Sequence, residues 1–307
     1  MNPVIQRLGF TPSDRIVILH ADDVGVCEAS VSGADELWQV GMISSSAVMV
    51  PCPWFPAAAA LCRNRPELKI DMGVHLTLTC EWNSMRWGAI STGDPTSGLI
   101  DDEGYMLRSY QACVAQGEPD AVLMEFDAQI ARAIAAGIQP THIDSHMGTA
   151  QHPRFLPAYV AVARKYRLPI FLPRAQTAAA YPEDPSADPS TRITEGPYAD
   201  PVNLALARRQ IELLDEAGIC MPDHFGWTQL DNFTDKVGEL KHQLGQLKPG
   251  ITHFVMHPAK DTPELRALCS DWRARAAEFE ALRRDDLRQW MREQGIQIIG
   301  YSALMAA

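Results

Sequence analysis

At 307 residues the chain can bury a sizeable core as one large domain or two smaller ones. An apolar share of 46% and a charged share of 21% are those of an ordinary globular protein, and a formal charge of −11 argues against nucleic acid or an anionic membrane surface as the main partner. The opening MNPVIQRLGFTPSD shows no basic stretch followed by an apolar one, and no apolar run approaches a membrane span, so a cytoplasmic protein is expected.

Strand-like and helix-like segments alternate along the chain. Residues 15–19 are a continuous apolar run, the pattern of a strand buried on both faces, and they lead into Asp22, Asp23 and Gly25. A helix is expected at 28–40, with Val31, Ala34, Leu37 and Trp38 on one face and Gly41 as its stop. A strand at 43–50, a short helix at 56–63 and a strand at 69–79 follow. Residues 80–118 break the rhythm with Trp82, Trp87 and glycine-rich turns; a loop this long suggests function or mobility. It reads as a cover over a site, with Trp82 and Trp87 either stacking on a sugar or anchoring the loop.

Further on, the pattern predicts helices at 119–136, 154–166, 202–217, 234–247 and 274–293. Strands are expected at 141–146, 168–174, 220–226, 252–257 and 296–301. A second long surface loop falls at 176–201. The seven cysteines are scattered and form no CxxC, which speaks against a disulfide framework or a cysteine-based zinc site.

Seven or eight strands alternating with helices make a parallel sheet of the α/β class. Polar residues fall at or near the C-terminal ends of many different strands: Asp22 and Asp23, His75, Asp144 and His146, Arg174, Asp223 and His224, and His257. That distribution favours a (β/α) barrel, TIM-like with room for distortion, over an open sheet with one switch point. One domain, 1–307, is expected.

Two adjacent acids at the mouth of a buried strand repel each other and resist burial. A cation should therefore accompany Asp22 and Asp23, and with no Lys/Arg cluster nearby in sequence a metal ion is the economical choice. Two imidazoles and a carboxylate commonly hold a divalent ion with open positions, which points to Asp23, His75 and His146 as ligands. Asp22 is then the general base beside the ion, and His257 the general acid. Asp144 is expected to hold a histidine or the substrate, with Arg174 and His224 as weaker substrate contacts. His20 and His142 are expected to face elsewhere, and His152, His242 and His253 carry no signal.

The ADDVG, GVHLTLT, PTHIDSHMGT and late HPA segments, with the C-terminal RAAEFEALRRDDLRQWMREQGIQIIGY, resemble the YdjC/ChbG family of carbohydrate deacetylases across nearly the whole chain. The resemblance implies a TIM-barrel-like fold, one divalent ion (magnesium or zinc), frequent homodimers, and removal of N-acetyl groups from amino sugars such as chitooligosaccharides. The family's ligands fall on Asp23, His75 and His146, and its base on Asp22. Two departures stand out: Val24 where the family has Phe, and Met147–Gly148–Thr149–Ala150 in place of a histidine-rich run. A metal-dependent sugar isomerase or epimerase on the same barrel, or a catalytically silent sugar-binding barrel, are the alternative readings.

Overall fold

The computed structural model describes residues 2, 4–174, 198 and 200–307. Its spine is β1, Arg15–Val24, whose residues from Ile16 onward are all buried. A strand that shows water neither face reads as a near-continuous apolar run, and Ile16–Leu19 is that run, leading into the buried polar residues His20, Asp22 and Asp23. β1 lies between two parallel neighbours, β2 (Ser45–Val48) and β6 (Gly250–Met256). With β3 (Met72–Leu76), β4 (Ile143–Ser145) and β5 (His224–Trp227), the order is β4-β3-β2-β1-β6-β5, and β7 (Gln297–Ile298) adds to β1 at Ile16 and Val17. All seven strands are parallel, as the alternation of elements requires.

The interior is built in layers on either side of β1. Ile16 and Ile18 pack with Tyr301 and Leu304, whereas Val17, Leu19 and Ala21 pack with Leu37, Met256 and Phe279. The largest cluster surrounds β2, β3 and β4, where Phe126 and Tyr159 meet edge to face with ring centroids 6.3 Å apart.

The strands are shorter than the sequence suggests, and a fully paired seven- or eight-stranded TIM barrel is not what the ladder shows. Residues 168–174 make a single isolated bridge, Ile143 to Ile170, instead of a strand. Proline at 169 and 173 removes two N–H donors there. Backbone contacts still carry the pairing onward: Ile170 N donates to Cys220 O, and Asp223 N to Ile251 O. The 274–293 helix is two helices, Trp272–Leu282 and Asp285–Glu293, broken where Arg284 turns extended. The last strand stops at Ile298, and Tyr301–Ala306 is helical.

The 80–118 loop is held firmly. Buried Glu125 accepts from Ile90 N at 3.0 Å, Ser91 N at 2.8 Å and Ser91 Oγ at 2.6 Å, and Trp87 is buried and donates Nε1 to Thr79 O. The second predicted loop, 176–201, lies almost wholly outside the described residues. No helix among the described residues is long and apolar enough to cross a membrane.

Tyr159 joins the weakly paired segment to the sheet. Its hydroxyl lies 3.1 Å from Ile143 O and 3.2 Å from Phe171 O. Tyr159→Phe should lower stability by about 1–2 kcal/mol in urea unfolding, the loss expected for a buried hydrogen bond.

Candidate metal and catalytic site

Regular alternation would send Asp22 and Asp23 to opposite faces of β1. The backbone prevents this. Asp23 has φ 59°, and the register against β2 shifts between Ala21 and Val24. Such a bulge re-aims a side chain, and aspartate is among the few non-glycine residues that tolerate the left-handed region. Gly25, at φ 94°, continues the turn with the backbone of Phe55 close to where a Cβ would stand. Both carboxylates consequently line one cavity of about 950 Å³, with His75, His146 and His257.

Asp23, His75 and His146 converge although 52 and 71 residues separate them from one another in the chain. Asp23 Oδ1 lies 3.4 Å from His75 Nε2 and 3.3 Å from His146 Nδ1. Each of the three has its other polar atom engaged. His75 Nδ1 meets Asp144 Oδ1 at 2.6 Å, His146 Nε2 meets Glu81 Oε2 at 2.9 Å, and Asp23 Oδ2 accepts from Arg275 at 2.8 Å. Asp23 Oδ1 itself is buried without a hydrogen-bond partner. Two donors held at about 2.1 Å from one ion at a tetrahedral angle lie roughly 3.4 Å apart, so these residues fit a divalent ion.

Electrostatics follow from the same contacts. Burial opposes the charge on Asp23, but Arg275, with His146 and His75, holds its carboxyl well below the usual carboxylate range. Burial likewise opposes protonation of His146, yet Asp23 and Glu81 outweigh it and push its pKa up to about 9. His75 is raised well above the ordinary imidazole value against burial by Asp144, Asp22 and Asp23. Without an ion the site balances its carboxylates with protons, and binding a metal must release them.

Asp22 faces the same space. Its Oδ2 is 3.8 Å from His75 Nε2 and 3.8 Å from His257 Nε2. His257 follows β6, with its backbone N donating to Glu278 Oε2 at 2.6 Å. Asp144 is buried behind His75 and does not line the cavity, so it is placed to hold histidines, not substrate. Trp82 is half-buried and lines the cavity, whereas Trp87, also on the wall, packs against it and anchors the loop. Arg174 and His224 lie outside the lining: the first pairs with Asp215, and the second reaches Pro249 O at 2.9 Å. His142 is a core residue stacked on Tyr301, as expected.

Two corrections arise here. His20 does not face elsewhere: its Nε2 lies 2.9 Å from Asp22 Oδ1 and 2.9 Å from Asp144 Oδ2. Residues two apart on a strand share a face, so the pairing of His20 with Asp22 was legible in the alternation. The lack of a Lys/Arg cluster nearby in sequence also does not leave the acids to a metal ion alone, because Arg275 reaches Asp23 across 252 positions. Nothing local to Asp23 signals that contact, nor the Glu81 contact to His146. Trp227, exposed and stacked on Phe225 at 5.0 Å, is a further aromatic of the cavity wall.

Removing one partner of a buried ion pair leaves the other uncompensated, at about 3–5 kcal/mol. Arg275→Met should destabilise the ion-free protein by that amount in urea unfolding. Combined with Asp23→Asn, it should cost markedly less than the sum of the two single changes.

Known proteins resemble this one over most of the chain. The model of the YdjC-like protein family matches residues 16–293. A carbohydrate deacetylase of Thermus thermophilus is 30% identical over 290 residues, covering 94% of each chain. One of Geobacillus stearothermophilus is 29% identical over 292 residues, covering 94% of this chain and 97% of its own. Among solved structures, a protein of Enterococcus faecalis described as a cellobiose-phosphate cleavage protein superposes with a TM-score of 0.72 at 24% identity, over 95% of this chain and 99% of that one. That likeness concerns the fold.

Proposed function

Since the chain belongs to the YdjC-like family, we propose that it is a metal-dependent carbohydrate deacetylase, hydrolysing the N-acetyl group of an amino sugar or its oligosaccharide. The observation that carries the reading is the set of three atoms left over in the site. Asp23 Oδ1, His75 Nε2 and His146 Nδ1 converge while their companions are tied to Arg275, Asp144 and Glu81. Histidine ligands whose second nitrogen is held by a carboxylate are the usual arrangement at catalytic metals. The names of the curated relatives supply the substrate class.

When bound, a divalent ion supplies Lewis acidity toward the acetyl carbonyl and lowers the pKa of water. Two imidazoles and one carboxylate suit zinc better than magnesium, which prefers oxygen ligands. Asp22 takes the proton from the attacking water at Oδ2, the oxygen that faces the cavity between His75 and His257. His257, on the far side of Asp22 from β3, returns a proton to the departing amine. Trp82 offers an aromatic face to the sugar, and a cavity of about 950 Å³ is ample for more than one ring. The homodimer implied by the family resemblance belongs to this proposal and is read by sedimentation.

Asp22→Asn should keep one divalent ion per chain but lose acetate release from N-acetylglucosamine and chitooligosaccharides by at least about 100-fold, the usual contribution of a general base. Full activity in that variant removes Asp22 from the role. Chelation should abolish turnover and re-addition of zinc restore it, whereas Asp23→Asn should fail to recover with metal. An isomerase or epimerase would convert sugar without releasing acetate.

A further inference from the structure

Beneath the cavity, His20 is fully buried between two carboxylates that serve different ends. Asp144 gives Oδ1 to His75 at 2.6 Å and presents Oδ2 to His20 Nε2 at 2.9 Å. Asp22 presents Oδ1 to the same nitrogen, also at 2.9 Å. His20 Nε2, Asp22 Oδ1 and Asp144 Oδ2 are all buried, and none of the three has a partner in full hydrogen-bond geometry. Neither oxygen lies in line with the ring N–H; the nitrogen sits between the two, 2.9 Å from each. The opposite edge of the ring is fixed, with Nδ1 2.9 Å from Ser45 Oγ, and His253 packs against its face with centroids 4.5 Å apart.

We infer that His20 is a positioning residue for the proposed base: it clasps Asp22 Oδ1 so that Oδ2 is turned into the cavity, and ties that orientation through Asp144 to His75. This rests on the reading of Asp22 as base. A carboxylate at a bulge has freedom about χ1 and χ2 that no other described contact restrains. No other side chain comes within 3.5 Å of either Asp22 oxygen among the described contacts. The bridge also explains how three acids, Asp22, Asp23 and Asp144, share one buried shell: Arg275 answers the second, and His20 lies between the other two.

The test compares His20→Gln, whose amide N–H can stand near the Nε2 position, with His20→Leu, which is similar in bulk and has no donor. Acetate release from chitooligosaccharides gives kcat and KM, and metal content is measured on the same samples. His20→Leu should lose about 10–100-fold in kcat, the range for outer-shell partners, with KM within about twofold and one ion retained; His20→Gln should recover most of the loss. If His20→Leu does not fold, His20→Asn takes its place, because its amide ends short of both carboxylates. Wild-type kcat in the donorless variant overturns the proposal, as does loss of the ion in place of kcat. So does a wild-type protein carrying two ions per chain, since the His20, Asp22, Asp144 and His253 donors would then be ligands. Should the wild type release no acetate at all, the deacetylase reading fails separately. Crystal structures of the two variants then decide: an Asp22 carboxylate that swings away in His20→Leu but not in His20→Gln supports the clasp, and one unmoved in both refutes it.

Discussion

Charge matching in a dry interior is the constraint on which this structure turns. Isolated carboxylates cannot be buried without protonating or finding partners, and this fold buries Asp22, Asp23 and Asp144 within one shell at the ends of its parallel strands. Arg275 meets Asp23 from a helix near the C-terminus, and His20, His75 and His146 meet the carboxylates from β1, β3 and the turn after β4. The sheet order brings these elements together, since β1 stands between the N-terminal strands and β6. The stability of the sheet's centre and the chemistry at its rim are therefore set by the same few contacts.

The aliphatic half of β1 and the acidic half do different work under one hydrogen-bonding pattern. Ile16 to Leu19 hold the register with β6 residue by residue. Past Ala21 the partner is β2 alone, and the register slips. The slip lets two consecutive side chains share a cavity, which a regular strand forbids. Loops then complete the site: Glu81 arrives on the loop after β3, pinned in turn by Glu125 and Trp87, and His257 is held in place by Glu278.

How far this was legible in the sequence depends on whether the signal was local. The buried strand at 15–19, the alternation of elements and the convergence of Asp23, His75 and His146 follow from residue type and position along strands. Strand lengths were overread because apolar runs at 43–50, 69–79 and 168–174 extend past the stretch that pairs, and prolines at 169 and 173 limit the last of these. The break at Arg284 was missed because the apolar spacing of the two helices runs on through it. Arg275 and Glu81 lie in segments whose partners are set by tertiary packing alone. His20 is a different case: the period of two places it beside Asp22, and that contact follows from the alternation alone.

The left-handed turn at Asp23 filters what can occupy that position in evolution. Branched and bulky residues are penalised by the backbone there, and asparagine is the common alternative that is not. A descendant that drifted from aspartate to asparagine would keep the kink and the aromatic walls of the cavity while giving up the anionic oxygen between the two imidazoles. The backbone thus leaves a short path from this charged site to an uncharged one of the same shape.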